Sequence, residues 1–288
     1  MKSTWMYTLS LAVLTMVGCS SDNEPSLPES GTARVQIDCA VVGEVGQVEA
    51  RATTGYALPS ELLPSADAFT LALTGTYTDK VDATTTAECT YAKSWATIAD
   101  YNTEAPSLEA GVYDAVLGHY ANSYEAAVTY GDPTAEGEGK PYFEGGSAAF
   151  ILYAGGNVEV PVTARLANSC FSLYAEQYLL SYYAGGIELT IHTADNDFTF
   201  TPTTTAESAL IFVKPNQQLS ISGKAVKQNG TEVSFPKTAI GTGVIAAETH
   251  YAIRVNHETA GSGALMISFD GSFTEVPEVN VELNPDEN

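Results

Sequence analysis

The chain predicts an all-β protein built as two tandem antiparallel β-sandwich domains. Three observations carry this. Apolar residues recur with a period of two from residue 33 onward, turn dipeptides punctuate the runs, and convincing helical stretches are few.

The strands follow in order. Ala33, Val35, Ile37, Cys39 and Val41 share one face, with Arg34, Gln36 and Asp38 on the other. Phe69, Leu71 and Leu73 alternate with Thr70, Ala72 and Thr74. Val158, Val160, Val162, Ala164 and Leu166 alternate with Glu159, Thr163 and Arg165. Further on, Ile187, Leu189 and Ile191 alternate with polar neighbours, as do Tyr251, Ile253 and Val255, and Val279, Val281 and Leu283. Each reads as a strand with one wet face, and the Val, Thr and Tyr content suits a pleated surface. Asn229-Gly230 and Asp270-Gly271 predict two-residue hairpins with positive φ at both positions. Gly155-Gly156 and Gly185-Gly186 predict further turns. Short helical turns are expected at 95–101 and 176–183. Antiparallel runs without interleaved helices give sandwiches rather than a parallel sheet.

The strand count exceeds one small sandwich. A boundary near Asn168 gives an N-terminal domain at 32–167, closed by the strand at 158–166, and a C-terminal domain at 168–288, opened by Cys170. Similar phrases, LEAGVY at 108–113 and IAAETHY at 245–251, each precede a strand and place a Tyr (Tyr113, Tyr251) at its start, where the hydroxyl can tie down a loop.

Composition excludes some functions. With 44% hydrophobic residues the 288-residue chain can bury a core. Its 12 Lys+Arg against 35 Asp+Glu give a formal charge of −23. Nucleic acid is not an expected partner, because neutralising phosphates needs clustered Lys and Arg. Electrostatic docking on an anionic membrane is excluded on the same ground.

The N-terminus speaks of export. Lys2 supplies a positive start, and the apolar run at 9–17 is too short to span a bilayer, at about 20 residues per helix. It fits a secretory signal. The run ends at Met16-Val17-Gly18-Cys19, which resembles the lipobox of bacterial lipoproteins. That resemblance implies a signal peptide at 1–18, lipidation at Cys19 and an outer-membrane anchor. Residues 20–31 (SSDNEPSLPESG) are polar and read as a flexible tether, so the tethered segment spans 19–31. Asp22 and Glu24 resemble the surface-export signal of Bacteroidales-type lipoproteins.

Cys39, Cys89 and Cys170 remain beyond Cys19. Export permits disulfides, but an odd count leaves at least one thiol unpaired. Cys39 alternates with apolar neighbours, which suits packing, and a Cys39–Cys89 bridge is the alternative.

A family resemblance rests on further phrases. A lipobox is followed by a Thr-rich strand, LEAGVY at 108–113, PYFEG at 141–145, a strand at 148–153 and a strand at 158–166 running into ANSC at 167–170. This looks like the Bacteroidales surface lipoproteins grouped as domain of unknown function 4493. It is similar, more distantly, to fimbrillins, the two-domain β-sandwich subunits of Bacteroidales pili. The resemblance implies an Ig-like or fimbrillin-like sandwich, cell-surface exposure, and a structural or adhesive, non-enzymatic role as a fimbrial subunit or accessory. Fimbrillins are cut after a loop Arg, which frees a groove for a neighbour's strand. Arg51 is the candidate processing site here, and fimbrial subunits joining by strand addition are the implied partners.

Chemistry is sparse. His119, His192, His250 and His257 show no HExxH spacing, and no CxxC or Cys/His cluster suggests zinc. His192 falls on the polar face of its strand and reads as solvated. Gly261-Ser262-Gly263 lacks the GxSxG spacing. Asp195-Asn196-Asp197 offers oxygen ligands for calcium but reads better as a hairpin turn. No catalytic residue, metal or cofactor is expected. The 16 Tyr and 10 Phe keep an alternative open. Tyr182-Tyr183, Tyr142-Phe143 and Trp95 offer flat faces for sugar stacking, so a lipoprotein capturing polysaccharide or a host ligand is the second reading.

Overall fold

The computed structural model describes residues 30–49, 52–82, 84–257, 264–269 and 272–280. Its architecture is all-β. The first half contains β1 (Ser30–Val41), β2 (Glu44–Glu49), β3 (Ala52–Ala57), β4 (Thr70–Lys80), β5 (Thr86–Trp95), α1 (Ile98–Glu104), β6 (Ser107–Asp114), β7 (His119–Tyr120), β8 (Asn122–Tyr130), β9 (Phe143–Gly146) and β10 (Asn157–Leu166). The second half follows with β11 (Ser169–Ala175), α2 (Gln177–Tyr182), β12 (Gly186–His192), β13 (Asp197–Phe200), β14 (Ile211–Val213), β15 (Ser220–Val226), β16 (Glu232–Ala239), β17 (Thr249–His257), β18 (Ala264–Phe269), β19 (Ser272–Pro277) and β20 (Val279–Asn280).

One sheet in the first half runs in the order β5-β4-β8-β9-β10-β1-β6-β7. It coils so that β6 lies across β4. Gly111 of β6 has φ +70, and a Cβ there would stand 2.6 Å from the Thr78 carbonyl oxygen of β4. Only glycine allows both the positive φ and the close approach. The core beneath gathers Val35 and Ile37 of β1, Leu71 and Leu73 of β4, and Val160, Val162 and Leu166 of β10. These are the residues that alternation picks out, because each strand has one face against the core.

The second half uses two sheets, β14-β11-β17-β18-β19 and β13-β12-β15-β16-β20. Their shared core holds Phe171, Leu173, Leu189, Ile191, Ile221, Phe235, Ile253 and Ile267. The hairpin β2–β3, which the sequence reading gives to the N-terminal domain, pairs with the second half: β2 lies parallel to β17, with Gln47 opposite His250. Asn168 stands between the halves, where its Nδ2 donates to Lys140 O (3.0 Å) and its carbonyl accepts from Glu248 N (3.1 Å).

Several expectations need correction. Among the described residues three pairings are parallel rather than antiparallel: β1–β10, β11–β17 and β17–β2. Each joins strands distant in sequence, and tight turns enforce antiparallel pairing only between neighbours. At Asn229-Gly230, only Gly230 has positive φ (+85); Lys227 N–H bonds to Thr231 O, so the loop is longer than two residues. The turn at Asp270-Gly271 lies outside the described residues, although Phe269 pairs with Ser272 on either side of it. LEAGVY is itself strand β6 rather than its prelude. Val279 is 45% exposed instead of facing a core, while Val281 and Leu283 lie outside the described residues. Strand β17 has no wholly wet face, since Ala252 is buried beside Tyr251 and Ile253. The second helical turn falls where expected, as α2, whereas the first starts three residues late, as α1, because Trp95 still belongs to β5. Thr97 caps α1 by accepting from Asp100 N (3.0 Å), and Ala105 in the left-handed region ends it.

Candidate functional site

An open hollow of about 610 Å³ lies where α2 meets the β15–β16 loop. Tyr178, Ser181 and Tyr182 line it from α2, and Lys227, Gln228 and Asn229 line it from the loop. The helix is amphipathic. Leu179 and the following Tyr183 are buried in the core, so Tyr178 and Ser181 turn outward. Tyr182 stacks on His257, at the end of β17, with ring centroids 3.7 Å apart. Lys227 Nζ sits 5.5 Å from the Tyr182 ring centre and pairs with Glu278. The Tyr183 hydroxyl donates to the other Glu278 oxygen (3.0 Å). The Glu278 hydrogen bond raises the Lys227 pKa against the opposing effect of burial, and burial followed by Glu278 raises that of Tyr183. Tyr182 is thus held by His257 and Lys227, whereas Tyr178 is 46% exposed. The hollow presents one open aromatic face ringed by hydroxyl and amide groups. That arrangement suits stacking and hydrogen bonding.

A second polar cluster ties the halves together. Glu138, between β8 and β9, accepts from Thr193 Oγ1 (2.9 Å), Asn196 Nδ2 (2.9 Å), Lys214 N (3.1 Å) and Gln217 Nε2 (3.0 Å). All four donors belong to the second half. Burial alone would raise the Glu138 pKa, but the hydrogen bonds outweigh it and the net shift is downward. Neither the hollow nor this cluster is legible in sequence as a unit, because each joins segments far apart in the chain, such as Tyr183 and Glu278 or Glu138 and Gln217, and carries no shared motif.

The other candidates distribute as follows. Cys19 and Arg51 lie outside the described residues, as does Gly261-Ser262-Gly263. Cys39, Cys89 and Cys170 are free thiols, so the alternative Cys39–Cys89 bridge is not formed. Cys39 is only partly buried, whereas burial pushes the Cys170 thiol up to about 12. His192 is not simply solvated: its ring bonds to Asp197 Oδ1 (2.6 Å) and Ser222 Oγ (2.7 Å) on the neighbouring strands β13 and β15. His250 is fully buried against Tyr56, and His119 bonds to the Tyr120 carbonyl (2.7 Å). Asp195-Asn196-Asp197 forms the β12–β13 turn, closed by Thr193 N–H to Asn196 O (2.8 Å). Among the expected platforms, Trp95, Phe143 and Tyr183 are buried. Trp95 spends its Nε1 proton on Glu104 (2.6 Å). Tyr251 does tie down its loop, accepting from Ala246 N (2.8 Å). Tyr113 instead packs edge-on against Tyr120. Among the described residues, no group of three His, Cys, Asp or Glu side chains could hold a metal ion.

Fold and site together define an all-β protein of two sheet systems joined through a polar junction. The family model described as Domain of unknown function (DUF4493) matches residues 31–285, and the chain belongs to that family. No curated protein matches it. Among solved structures, it is similar to one from Bacteroides eggerthii described as a candidate cell adhesion protein, at 9% identity and a TM-score of 0.35, covering 88% of this chain and 98% of that one. It is also similar to the fimbrial anchor protein Mfa2 from Porphyromonas gingivalis, at 9% identity and a TM-score of 0.29, covering 86% and 99%. A third likeness is to a Bacteroides thetaiotaomicron protein described as a candidate polysaccharide binding protein, at 9% identity and a TM-score of 0.32, covering 88% and 99%.

Proposed function

We propose that the protein is a non-enzymatic adhesive protein of the cell surface, anchored in the outer membrane through a lipid on Cys19. The observation that carries this is the seating of the first strand. The lipobox-like Gly18-Cys19 junction and the polar tether lead directly into β1. That strand lies between β10 and β6 and contributes Ala33, Val35 and Ile37 to the core. An anchor at Cys19 would therefore hold the molecule by a strand inside its main sheet. The test is Cys19→Ala with cell fractionation and acyl labelling. The variant is expected to lose its label and leave the membrane fraction; a variant still acylated and membrane-bound refutes the anchor.

Fimbrillin-like assembly is the rival to this reading, because it needs a β1 that can be removed. A cut at Arg51 would remove β1 together with β2. Strand β1 fills a slot between β10 and β6, and β2 is the strand through which β3 joins the second half. An emptied slot exposes apolar side chains and unpaired backbone, so it must accept a donor strand or aggregate. Glycan capture is the second reading, favoured by the exposed Tyr178 and its polar surround.

A further inference from the structure

We propose that the β1–β10 ladder is a shear clamp that lets the first half carry tension between an N-terminal anchor and the second half. This rests on the anchored, adhesive reading above for its purpose, but on topology alone for its mechanics. Strands β1 and β10 run parallel over eight residue pairs, from Arg34↔Asn157 to Val41↔Ala164. Tension enters at the start of β1, where the tether joins Ser30. It leaves at the end of β10, where Leu166 leads through Asn168 into β11, and at the same end of the ladder through β2, which pairs with β17 over three residues. In a parallel pair those two points lie at opposite ends of the ladder. The pull therefore acts along both strands in opposite senses and loads every rung at once. A pull on the same end of both strands would open the rungs one after another.

The ladder is also continuous. Arg34 N donates to Gly156 O (3.0 Å) and Val42 N to Ala164 O (2.9 Å), so the even-numbered groups of both strands face each other. Pro161, with no N–H, turns its gap away from β1, and on that other side β9 pairs only from Thr163 onward. On its far edge β1 is held by β6 from Ser30 to Arg34. Beyond that ladder the Tyr101 hydroxyl donates to Val35 O (2.6 Å).

The experiment is single-molecule pulling on the otherwise native mature chain, with one handle at its N-terminus and the other at an azide-bearing phenylalanine. Replacing Gln228, exposed on the β15–β16 loop, reproduces the shear geometry. Replacing Tyr153, which is 52% exposed beside the start of β10, pulls the same ends of β1 and β10 and unzips them. The released length identifies the step in which the first half opens, even if the second half yields earlier. Forced unfolding reads the barrier along the pulled direction. The expected result is a several-fold higher rupture force for that step through Gln228 than through Tyr153. Equal forces, or a weaker first-half step through Gln228, overturn the clamp. A chain that is not lipidated at Cys19 fails the acylation test and leaves this force difference unchanged.

Discussion

The two halves use buried tyrosine to different extents. Among the largest fully buried side chains the first core has Tyr101, Tyr120 and Tyr124 beside Phe69, Phe143 and Phe212, whereas the second has Tyr183 beside Phe171, Phe235 and Phe269. The buried tyrosines act as more than filler. Tyr101 bonds to Val35 O, and Tyr124 bonds to Glu109 O (2.8 Å). The first half is one sheet coiled on itself, so backbone carbonyls such as Val35 O lie past the end of a ladder, and a phenol reaches them from the core. In the second half two separate sheets close over phenylalanine and isoleucine. A buried carbonyl without a donor is costly, so the coiled sheet depends on its hydroxyls.

The largest effect should come from charge placed inside the sheets. Ile37→Asp buries an unpaired carboxylate and should destabilise by roughly 3–5 kcal/mol, whereas Gln36→Asp on the exposed face should be nearly neutral. The comparison sharpens on β17, where neighbours on both faces are buried: Ile253→Asp and Ala252→Asp should both be strongly destabilising. Thermal melts showing a tolerant face on β17, or none on β1, would break it.

The tyrosine contrast is smaller. Tyr101→Phe should cost about 1–2 kcal/mol in denaturant unfolding, by stranding Val35 O. Burial pushes the Tyr101 pKa up to about 12. Its folded value lies above the unfolded value of about 10. The associated stability is therefore present below pH 10 and falls as pH rises from there toward 12. Tyr101→Phe should flatten part of that alkaline loss. A variant with unchanged stability at neutral pH would remove the hydroxyl from the account.

The junction carries the opposite sign. Glu138 has a lowered pKa, so its contribution is present above the unfolded carboxyl value of about 4.3 and is lost as pH falls through the lower folded value. Glu138→Gln keeps the shape but sets an amide against donors. It should cost about 1 kcal/mol at pH 7 and make stability less sensitive to pH in the acid range. An acid profile identical to wild type would contradict the tie between halves.

Legibility followed burial. Strands with one wet face, such as β1, β4, β10 and β12, alternate in sequence and are found where alternation puts them. Strand β11 reads SCFSLYA, with nearly every residue buried, and gives no period to detect. Its partner β17 is misjudged for the same reason. Parallel pairings and the loan of β2–β3 to the second half are contacts between distant segments, which local pattern does not encode. Among the site residues, Tyr182 was visible as an aromatic but not its stacking on His257. Trp95 and Phe143 looked like platforms because sequence does not show which face of an aromatic-rich strand is covered. Glu138 was one carboxylate among 35 Asp+Glu, without a motif to mark it.

If β1 is a permanent part of the sheet, a cut at Arg51 does not free it. Limited trypsin digestion at Arg51 tests this most directly, followed by size-exclusion chromatography and mass measurement under native and then denaturing conditions, with Arg51→Ala as control. The expected product is a monomer that retains the N-terminal piece through β1 and β2 after the cut and releases it only on denaturation. Release of that piece under native conditions, with the remainder assembling into oligomers, would contradict it and make β1 a removable plug for strand addition.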